Sequence, residues 1–396
     1  MIITRHLVVL RLHRHTVLIL LWPLLLLFSV GSLRAQLQGP KYDERILFRG
    51  LTGFSLGGWQ QQWKLKGEGT VVEQSAPVYL SIPLSNRILF TAANAPALST
   101  LDSLKLQGIT DTRLGFSYVV PGDRVWINGG ASLPTGITKL KESELPVATV
   151  LSESAFDYRV PVFGQGTNGS IGFAYAYPAQ RRLILGFGAS YVYKGEYQPA
   201  SVSGVSDRYD PGDEVSVNAG LDYTTFSKTE RFSLDLTATN YLPDKLNGEN
   251  FIQSGIRFMT LAVYSVKWGS LTSLFQFRTR LRTQSQIFNS GVSESYKSSQ
   301  HYEGQYTLTW QAAQWCSLSG LLQGKYHTGD QIPFGVGIYE MGKAQLGSIG
   351  GEIGFALASW FTVGFEGKYG IGSVVEENVK NNVTGLEGGG SARIQF

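Results

Sequence analysis

The stretch H-Y-E-G-Q-Y-T-L-T-W-Q (301–311) alternates strictly between two kinds of side chain. The first set is polar: His301, Glu303, Gln305, Thr307, Thr309 and Gln311. The second set is apolar or small: Tyr302, Gly304, Tyr306, Leu308 and Trp310. Successive side chains of a β-strand point to opposite faces, whereas a helix would mix the two sets. The pattern therefore predicts a strand with one polar and one apolar face.

The same period of two recurs from about residue 50 onward. Clear examples are the runs 181–193, 213–223, 271–282 and 361–369. Many of these runs are longer than the roughly five or six residues usual for strands of soluble proteins. They reach the roughly 9–11 residues that cross a bilayer at a tilt, so we expect membrane-spanning strands.

The connections between the runs alternate in length. The short connections are 84–87, 120–123, 178–181, 227–230, 266–269, 312–315 and 358–360. The long connections lie near 96–108, 135–167, 195–212, 241–250, 284–300, 328–344 and 371–384. Short turns on one rim and long loops on the other are typical of bacterial outer-membrane barrels. A soluble β-sandwich, which is the alternative, has no reason to keep this order.

The strand count is even when both chain ends lie on the short-turn side. The predicted strands are 51–62, 70–83, 87–95, 109–119, 123–134, 168–178, 181–194, 213–225, 230–241, 251–265, 269–284, 301–311, 314–327, 345–357, 359–370 and 385–396. This predicts an all-β, up-and-down antiparallel transmembrane barrel of about 16 strands, with short periplasmic turns and long extracellular loops. If 51–62 is instead a plug in the lumen, the count falls to about 14. The stretch 142–152 is expected to form a short helix in the longest loop, which could plug the lumen.

The charge of the chain is concentrated at its beginning. Only 16% of the 396 residues are charged, and the first 35 carry Arg5, Arg11, Arg14 and Arg34 but no acidic residue. Without these four of the 34 basic residues, 30 basic residues face 30 acidic ones. The rest of the chain therefore lacks the positive charge typical of a nucleic-acid-binding protein, and no nucleic-acid partner is predicted.

Residues 1–35 have the organisation of an export signal. A basic start precedes an apolar run at 17–30, and small residues lead to a cleavage position after Ala35. The alternative is a membrane anchor helix, but the run is shorter than the roughly 20 residues that span a bilayer and Pro23 interrupts it. We expect a periplasmic segment at 36–50 and the barrel at 51–396. With one cysteine, Cys316, an internal disulfide is excluded.

A wide barrel encloses water, so its apolar face must point outward to lipid. Aromatic residues near the ends of the predicted strands suit the membrane interface: Tyr177, Tyr191, Tyr193, Trp268, Trp310, Trp315 and Trp360. The last strand places Ile394 and Phe396 on its apolar face. A final strand that ends on an aromatic residue resembles the signal recognised by the barrel-assembly machinery, which would then be a partner together with outer-membrane lipid.

Charged residues of the predicted strands fall on the inward face. The predicted pore-lining residues are Arg278, Arg280, Arg282, Glu303, Asp222, Asp235, Glu352, Glu366 and Lys368. Three arginines at a spacing of two would favour anionic solutes such as carboxylates. The alternative is that these charges form salt bridges that stiffen the wall, and the sequence leaves both interpretations open.

Two motifs associated with catalysis or nucleotide binding lack the required context. G-F-S-L-G (53–57) matches the serine-hydrolase elbow, which needs a strand–turn–helix, but it lies in an alternating run. G-Q-G-T-N-G (164–169) is followed by a strand pattern rather than a helix. No metal-ligand spacing occurs among the five histidines. We therefore predict a protein that is not an enzyme and that has no cofactor or metal; a lipid hydrolase using Ser55 is the third hypothesis.

The stretch 108–136 carries Asp111, Leu114, Gly115 and Tyr118, followed by L-P-T-G (133–136). It resembles a hairpin with the pattern D-x-x-L-G-x-x-Y and then L-P-T-G in outer-membrane transporters linked to phenol degradation, a group related to the FadL-like fatty-acid transporters. The A-N-A-P-A stretch that begins at 93 is similar to an Asn-Pro-Ala stretch of FadL-like proteins, with one alanine inserted. The Ala35–Gln36 pair and the Gly/Tyr-rich strands look similar to those of Bacteroidetes-type outer-membrane proteins.

This resemblance implies a barrel in the bacterial outer membrane that passes small hydrophobic or amphipathic solutes. The alternative function is a structural or secretion-associated barrel that serves as a partner subunit and has a plugged lumen.

Overall fold

The computed structural model describes residues 52–65, 69–152, 155–156, 158, 164–201, 207–227, 229–289, 292–334, 337–376 and 379–395. The predicted export signal, the predicted periplasmic segment and Phe396 lie outside the described residues. In the described part of the chain, no helix is long and apolar enough to cross a membrane.

The described residues form 26 strands and one short helical region. The first thirteen strands are β1 (Gly53–Leu65), β2 (Gly69–Ser75), β3 (Val78–Ser85), β4 (Ile88–Asn94), β5 (Pro96–Leu101), β6 (Leu104–Ile109), β7 (Thr112–Val119), β8 (Val125–Leu133), β9 (Leu140–Lys141), β10 (Asn168–Gln180), β11 (Leu183–Lys194), β12 (Ala200–Ser201) and β13 (Tyr209–Asp210). The remaining strands are β14 (Glu214–Thr224), β15 (Glu230–Tyr241), β16 (Asp244–Leu246), β17 (Glu249–Gln253), β18 (Arg257–Trp268), β19 (Leu271–Arg282), β20 (Ser285–Asn289), β21 (Val292–Tyr296), β22 (His301–Ala313), β23 (Cys316–Phe334), β24 (Gly337–Ala358), β25 (Phe361–Glu376) and β26 (Val379–Gln395). A 3₁₀ turn (Glu142–Glu144) leads into helix α1 (Leu145–Ser152).

Sixteen of these strands close into an antiparallel barrel, which confirms the predicted fold class. The wall strands, in order around the barrel, are β1, β3, β4, β7, β8, β10, β11, β14, β15, β18, β19, β22, β23, β24, β25 and β26. The first strand pairs with the last along its whole length, from Gly53 opposite Gln395 to Leu65 opposite Val383. The alternative of a 51–62 plug and about 14 strands is therefore wrong, because β1 provides the closing pair of the wall.

The two rims of the barrel differ in their connections. At the near rim, every wall hairpin turns within a few residues, at the junctions β3–β4, β7–β8, β10–β11, β14–β15, β18–β19, β22–β23 and β24–β25. These are the seven predicted short turns, and the paired chain ends lie at the same rim. The opposite rim, which we call the far rim, carries the long connections.

Several predicted long loops contain further strand structure. Strands β5 and β6 occupy 96–109, and the hairpins β23–β24 and β25–β26 extend well beyond the neighbouring wall strands. Strands β13, β16, β17, β20 and β21 form a separate five-stranded sheet. Burial raises the pKa of Tyr209 in this sheet, and its hydroxyl also donates to Asp244 Oδ2 at 2.6 Å. The described part of the far rim therefore contains hairpins that continue beyond the wall.

Three neighbouring wall strands are interrupted at the same level. The prediction of one strand at 70–83 is wrong, because the chain breaks between β2 and β3 at Ala76 and Pro77. The β4–β5 chain breaks at Ala95, directly before Pro96, and the β6–β7 chain breaks at Thr110 and Asp111. Proline has no backbone N–H to donate to a neighbouring strand, which explains why two of these breaks fall beside prolines. The Ala76 N–H still donates to Pro96 O at 2.9 Å, so the segments stay connected across the break.

The polarity of the wall reverses beyond this break. Near the start of β1, Leu56 points outward and is exposed, whereas near its end Trp63 points inward and is 5% exposed. Outward belts of exposed apolar side chains elsewhere include Ile171, Phe187, Val217, Leu236, Phe275, Leu322, Ile349 and Phe365. Such a belt is the face that a transmembrane barrel turns to lipid. Beyond the break, the inner face is apolar and the outer face is polar. This part of the wall therefore lies outside the apolar belt, and its apolar side chains pack inward as in a soluble domain.

The inner apolar face near the far rim holds helix α1. Its buried residues Val147, Ala148 and Leu151 belong to one cluster with Trp63 and with residues of β2, β5, β6, β24, β25 and β26. Phe156 is almost fully buried, with its ring 5.0 Å from that of Trp63. The helix predicted at 142–152 is confirmed, and it lies against the inner side of the tall part of the wall.

Candidate functional site in the barrel interior

All nine predicted pore-lining residues lie on the inner face of the wall. Cross-strand registers place them opposite one another or opposite other inward residues: Arg278 faces Glu303, Glu352 faces Glu366, and Gly220 faces Asp235. On the same strands the opposite face carries exposed apolar residues such as Phe275 and Phe365. That these nine residues line a conducting path stays a prediction.

The arginine row of β19 is divided between two environments. Arg278 forms an ion pair with Glu303 and donates to it from Nε at 2.9 Å. Glu303 also accepts from Gln323 Nε2 at 2.6 Å. Arg280 lies opposite His301, whose ring stacks on that of His327 with centroids 3.9 Å apart. Arg278 and Glu303 therefore form a salt bridge across the wall, as the alternative interpretation of these charges expects.

The remaining predicted residues form two further polar groups. Glu352, Glu366 and Lys368 line one cavity of 240 Å³, and Lys368 Nζ lies 2.8 Å from Glu387 Oε2. Asp222 accepts from Arg231 Nε at 2.8 Å near the opposite, near-rim end of the wall. The sequence pattern found these inward residues, but it did not show which of them meet.

Arg282 belongs to a cluster at the far rim that the sequence reasoning missed. We define the rim cluster as Lys194, Glu214, Tyr241, Arg257 and Arg282. The cations surround the Tyr241 ring: Lys194 Nζ lies 5.8 Å from its centroid, and the Cζ atoms of Arg257 and Arg282 lie 5.3 Å and 5.4 Å away. Glu214 accepts from Lys194 at 2.6 Å and lies 3.6 Å from Arg257.

The rim cluster can be recognised in the sequence only when the ends of the strands are placed correctly. Its members are the terminal residues of five consecutive wall strands: Lys194 ends β11, Glu214 begins β14, Tyr241 ends β15, Arg257 begins β18 and Arg282 ends β19. Terminal residues of adjacent antiparallel strands stand side by side at one rim. Strand ends predicted from sequence are uncertain by two to four residues, so this row could not be recognised.

The residues that carry the family resemblance anchor the longest loop to the wall. Asp111 Oδ1 accepts from Gly136 N at 2.9 Å, and Asp111 Oδ2 accepts from Gln165 N at 2.7 Å. We call Asp111, Gly136 and Gln165 the Asp111 latch. Gly164 lies against it, because an added Cβ would stand 2.5 Å from Asp111 Oδ1. Both ends of the loop that carries α1 are thus tied to one buried carboxylate.

Further hydrogen bonds join the latch to the strand break. Thr135 Oγ1 accepts from Thr112 N at 2.8 Å and donates to Thr110 O at 2.9 Å. Asn94 Nδ2 donates to Thr110 O at 3.0 Å and to Thr112 Oγ1 at 2.8 Å. The Asp111, L-P-T-G and A-N-A-P residues therefore meet in one place, although they are far apart in the sequence.

A cavity of 570 Å³ lies beside this junction. Its lining combines apolar and polar residues: Tyr79, Ala93, Leu114, Val192, Asn94, Arg113, Ser132 and Asn168. Arg113 is exposed and forms no ion pair or hydrogen bond within the described part of the chain. The volume lies within the roughly 300–1,000 Å³ range of small-molecule sites.

The two catalytic or nucleotide-binding motifs are parts of the wall. G-F-S-L-G runs within β1 and continues as strand, and the G-Q-G-T-N-G stretch leads directly into β10. Ser55 pairs with Arg393 of β26 and Tyr79 of β3, whereas His301 lies on β22. Strand β22 is not a neighbour of β1, so Ser55 and His301 do not lie on adjacent strands.

No family model matches the chain, and no curated protein matches it in sequence. The resemblance to FadL-like and Bacteroidetes-type proteins therefore stays a prediction. Solved outer-membrane proteins with a similar fold include a bacterial polysaccharide outer membrane secretin, with 9% identity, 87% of this chain and 98% of that chain covered, and a TM-score of 0.44.

A second is Pseudomonas putida OprB at high pH, with 10% identity, 87% of this chain and 94% of that chain covered, and a TM-score of 0.46. A third is the CymD monoaromatic hydrocarbon channel, with 11% identity, 87% of this chain and 89% of that chain covered, and a TM-score of 0.39. Each of these proteins is similar to this chain in fold alone.

Proposed function

We propose that this chain is a barrel of the bacterial outer membrane that passes small amphipathic or hydrophobic solutes without catalysis. The observation that carries the proposal is the 570 Å³ cavity on the inner side of a closed barrel with an apolar outer belt. Outer-membrane lipid would surround the belt, and the short turns would lie in the periplasm.

The cavity lining suits a solute with an apolar body and a polar group. Tyr79, Ala93 and Val192 offer apolar contact, while Asn94 and Arg113 offer hydrogen bonds. A purely hydrophilic solute would leave the apolar lining without contacts, and a large one would not fit the volume. We therefore expect selectivity for compact aromatic or short-chain molecules.

Helix α1 and the Asp111 latch would regulate this route. The helix lies on the inner side of the wall near the far rim, and the latch holds both ends of its loop beside the cavity. Release of the latch would let the loop move without unfolding the barrel, because the wall strands are held by their own ladders.

Uptake by proteoliposomes tests the proposal. Vesicles that contain the protein should take up benzoate at neutral pH faster than protein-free vesicles, and they should take up sucrose far more slowly. Filling the cavity by Ala93→Trp should slow benzoate uptake several-fold, whereas Ala174→Trp, on the inner face of β10 outside the cavity, should not. Absence of uptake of either solute would refute the transport function.

The second candidate function is a structural or secretion-associated partner subunit with a plugged lumen. The observation that favours it is the apolar packing of α1 on the inner wall, where burial contributes roughly 1.5–3 kcal/mol for each large apolar side chain. A partner subunit should show no solute flux even after α1 is displaced, which separates it from a gated channel.

A further inference from the structure

We infer that the rim cluster is a recognition site for the anionic group of a solute, a carboxylate or a phosphate, at the far rim of the barrel. The inference rests on the proposed function and names the solute class that this function would select. The observation behind it is that three cations have a single carboxylate as ion-pair partner among the described residues.

The cluster contains three cations and one carboxylate within ion-pair reach. Lys194 and Arg257 share Glu214, while Arg282 has no carboxylate within salt-bridge distance in the described part of the chain. The side chains of Lys194, Arg257 and Glu214 are only 22%, 24% and 18% exposed. Like charges held close together at low exposure repel each other, and a bound anion would relieve this repulsion.

Unused hydrogen-bonding capacity in the cluster points in the same direction. Arg257 Nε is buried and lacks a hydrogen-bond partner in the described residues. Burying such a group without a partner is costly, and a carboxylate or phosphate could accept from it. Arginine forks favour these two groups over halide ions because they match two planar oxygen acceptors.

Neighbouring acidic groups form no ion pair with these cations in the described residues. Asp213 accepts from Tyr191 Oη and, at 2.9 Å, from Lys194 N. Asp330 accepts from Ser299 N at 2.7 Å. Both carboxylates keep their negative charge, but Glu214 is the one ion-pair partner that the three cations have in the described part of the chain.

The position of the cluster gives it a role in selection. Its residues end five consecutive wall strands on their inner face, so an entering solute meets them before it reaches the Arg278–Glu303 pair. An anionic group held here would leave the apolar part of the molecule free to reach the cavity lined by Val192. The two sites share strand β11, because Lys194 and Val192 are successive inward residues.

Equilibrium binding to the purified full-length barrel in detergent tests this inference without requiring transport. Calorimetric titration with benzoate should show binding that weakens with added salt, and inorganic phosphate should compete, whereas the neutral analogue benzyl alcohol should bind at least tenfold more weakly. Arg282→Gln should weaken benzoate binding about tenfold. This variant removes no ion pair of the described residues, so the barrel should still fold. The matched control Lys105→Gln removes an exposed outward-facing charge of β6 and should leave benzoate binding unchanged.

Equal binding of benzoate and benzyl alcohol, or benzoate binding within twofold of the unaltered protein in Arg282→Gln, would overturn the inference. A second variant, Arg257→Gln, guards against compensation by its neighbour and should also weaken binding. Binding without uptake by vesicles would refute the proposed transport and keep the anion site. Uptake with no difference between benzoate and benzyl alcohol binding would refute the site alone.

Discussion

The carboxylate of Asp111 accepts the backbone N–H of Gly136 at 2.9 Å, across 25 residues of sequence. Asp111 stands at the point where the wall strand β7 begins, and Gly136 stands where the chain leaves the wall after β8. With Gln165 N on its other oxygen, one buried carboxylate joins the wall to both ends of the loop that carries α1. This contact couples the strand break, the cavity and the helix on the inner wall.

Asp111→Asn should release the longest loop. The change removes the charge of the acceptor and puts an NH₂ group in place of one of its two oxygens. Loss of hydrogen bonds to a charged group should weaken the attachment of the loop by about 1.5–3 kcal/mol. We expect trypsin to cleave the folded barrel after Lys139 or Lys141, both exposed, at least about tenfold faster. Asp123→Asn, the same change at the near rim where Asp123 pairs with Arg87 at 2.7 Å, is the control. Equal cleavage rates in the two variants would contradict the latch.

Val147→Asp should displace α1 from the inner wall. Val147 is fully buried. An unpaired carboxylate there should weaken the packing of α1 on the wall by several kcal/mol, roughly as much as the apolar side chain contributes. If the helix obstructs the lumen, uptake of benzoate by vesicles should rise several-fold. Thr149→Asp places the same charge on an exposed position of the same helix and should leave uptake unchanged. Unchanged uptake in both variants would show that α1 does not limit the flux.

The Arg278–Glu303 pair should contribute little to ion selectivity. Its charges cancel, so Arg278→Gln combined with Glu303→Gln should leave the anion-to-cation permeability ratio within about twofold in single-channel recordings. Arg282→Gln, which removes one uncompensated charge of the rim cluster, should lower the ratio clearly more. A fall of the same size in the double variant would mean that the whole arginine row of β19 selects anions.

A charged extension after Phe396 should impair assembly. The final described strand pairs with β1 up to Gln395, opposite Gly53, and Ile394 faces outward on the apolar side. Two aspartates added after Phe396 would place charge next to the closing pair, so we expect less folded barrel in the outer-membrane fraction, measured by heat-dependent gel mobility. The same two residues inserted after Gln36, in the predicted periplasmic segment, are the control. Normal assembly of the extended chain would count against the terminal assembly signal.

The sequence by itself determined most strands of the wall, the near-rim turns and the inward set of charged residues. It could do so because side-chain alternation is local: each residue's face follows from its neighbours, as in 301–311. The sequence left open whether 51–62 closes the barrel or plugs it, and the pairing of β1 with β26 decided for closure.

The tertiary structure alone decided which residues meet. The breaks at Pro77, Pro96 and Asp111 lie on three segments that cross-strand pairing brings to the same level of the wall. The rim cluster depends on where five strands end, and the packing of α1 depends on the polarity reversal between Leu56 and Trp63. Period-two alternation assigns side chains to two faces of a strand, but it does not show which face contacts water. That depends on the closed barrel and on the height of each residue along the wall.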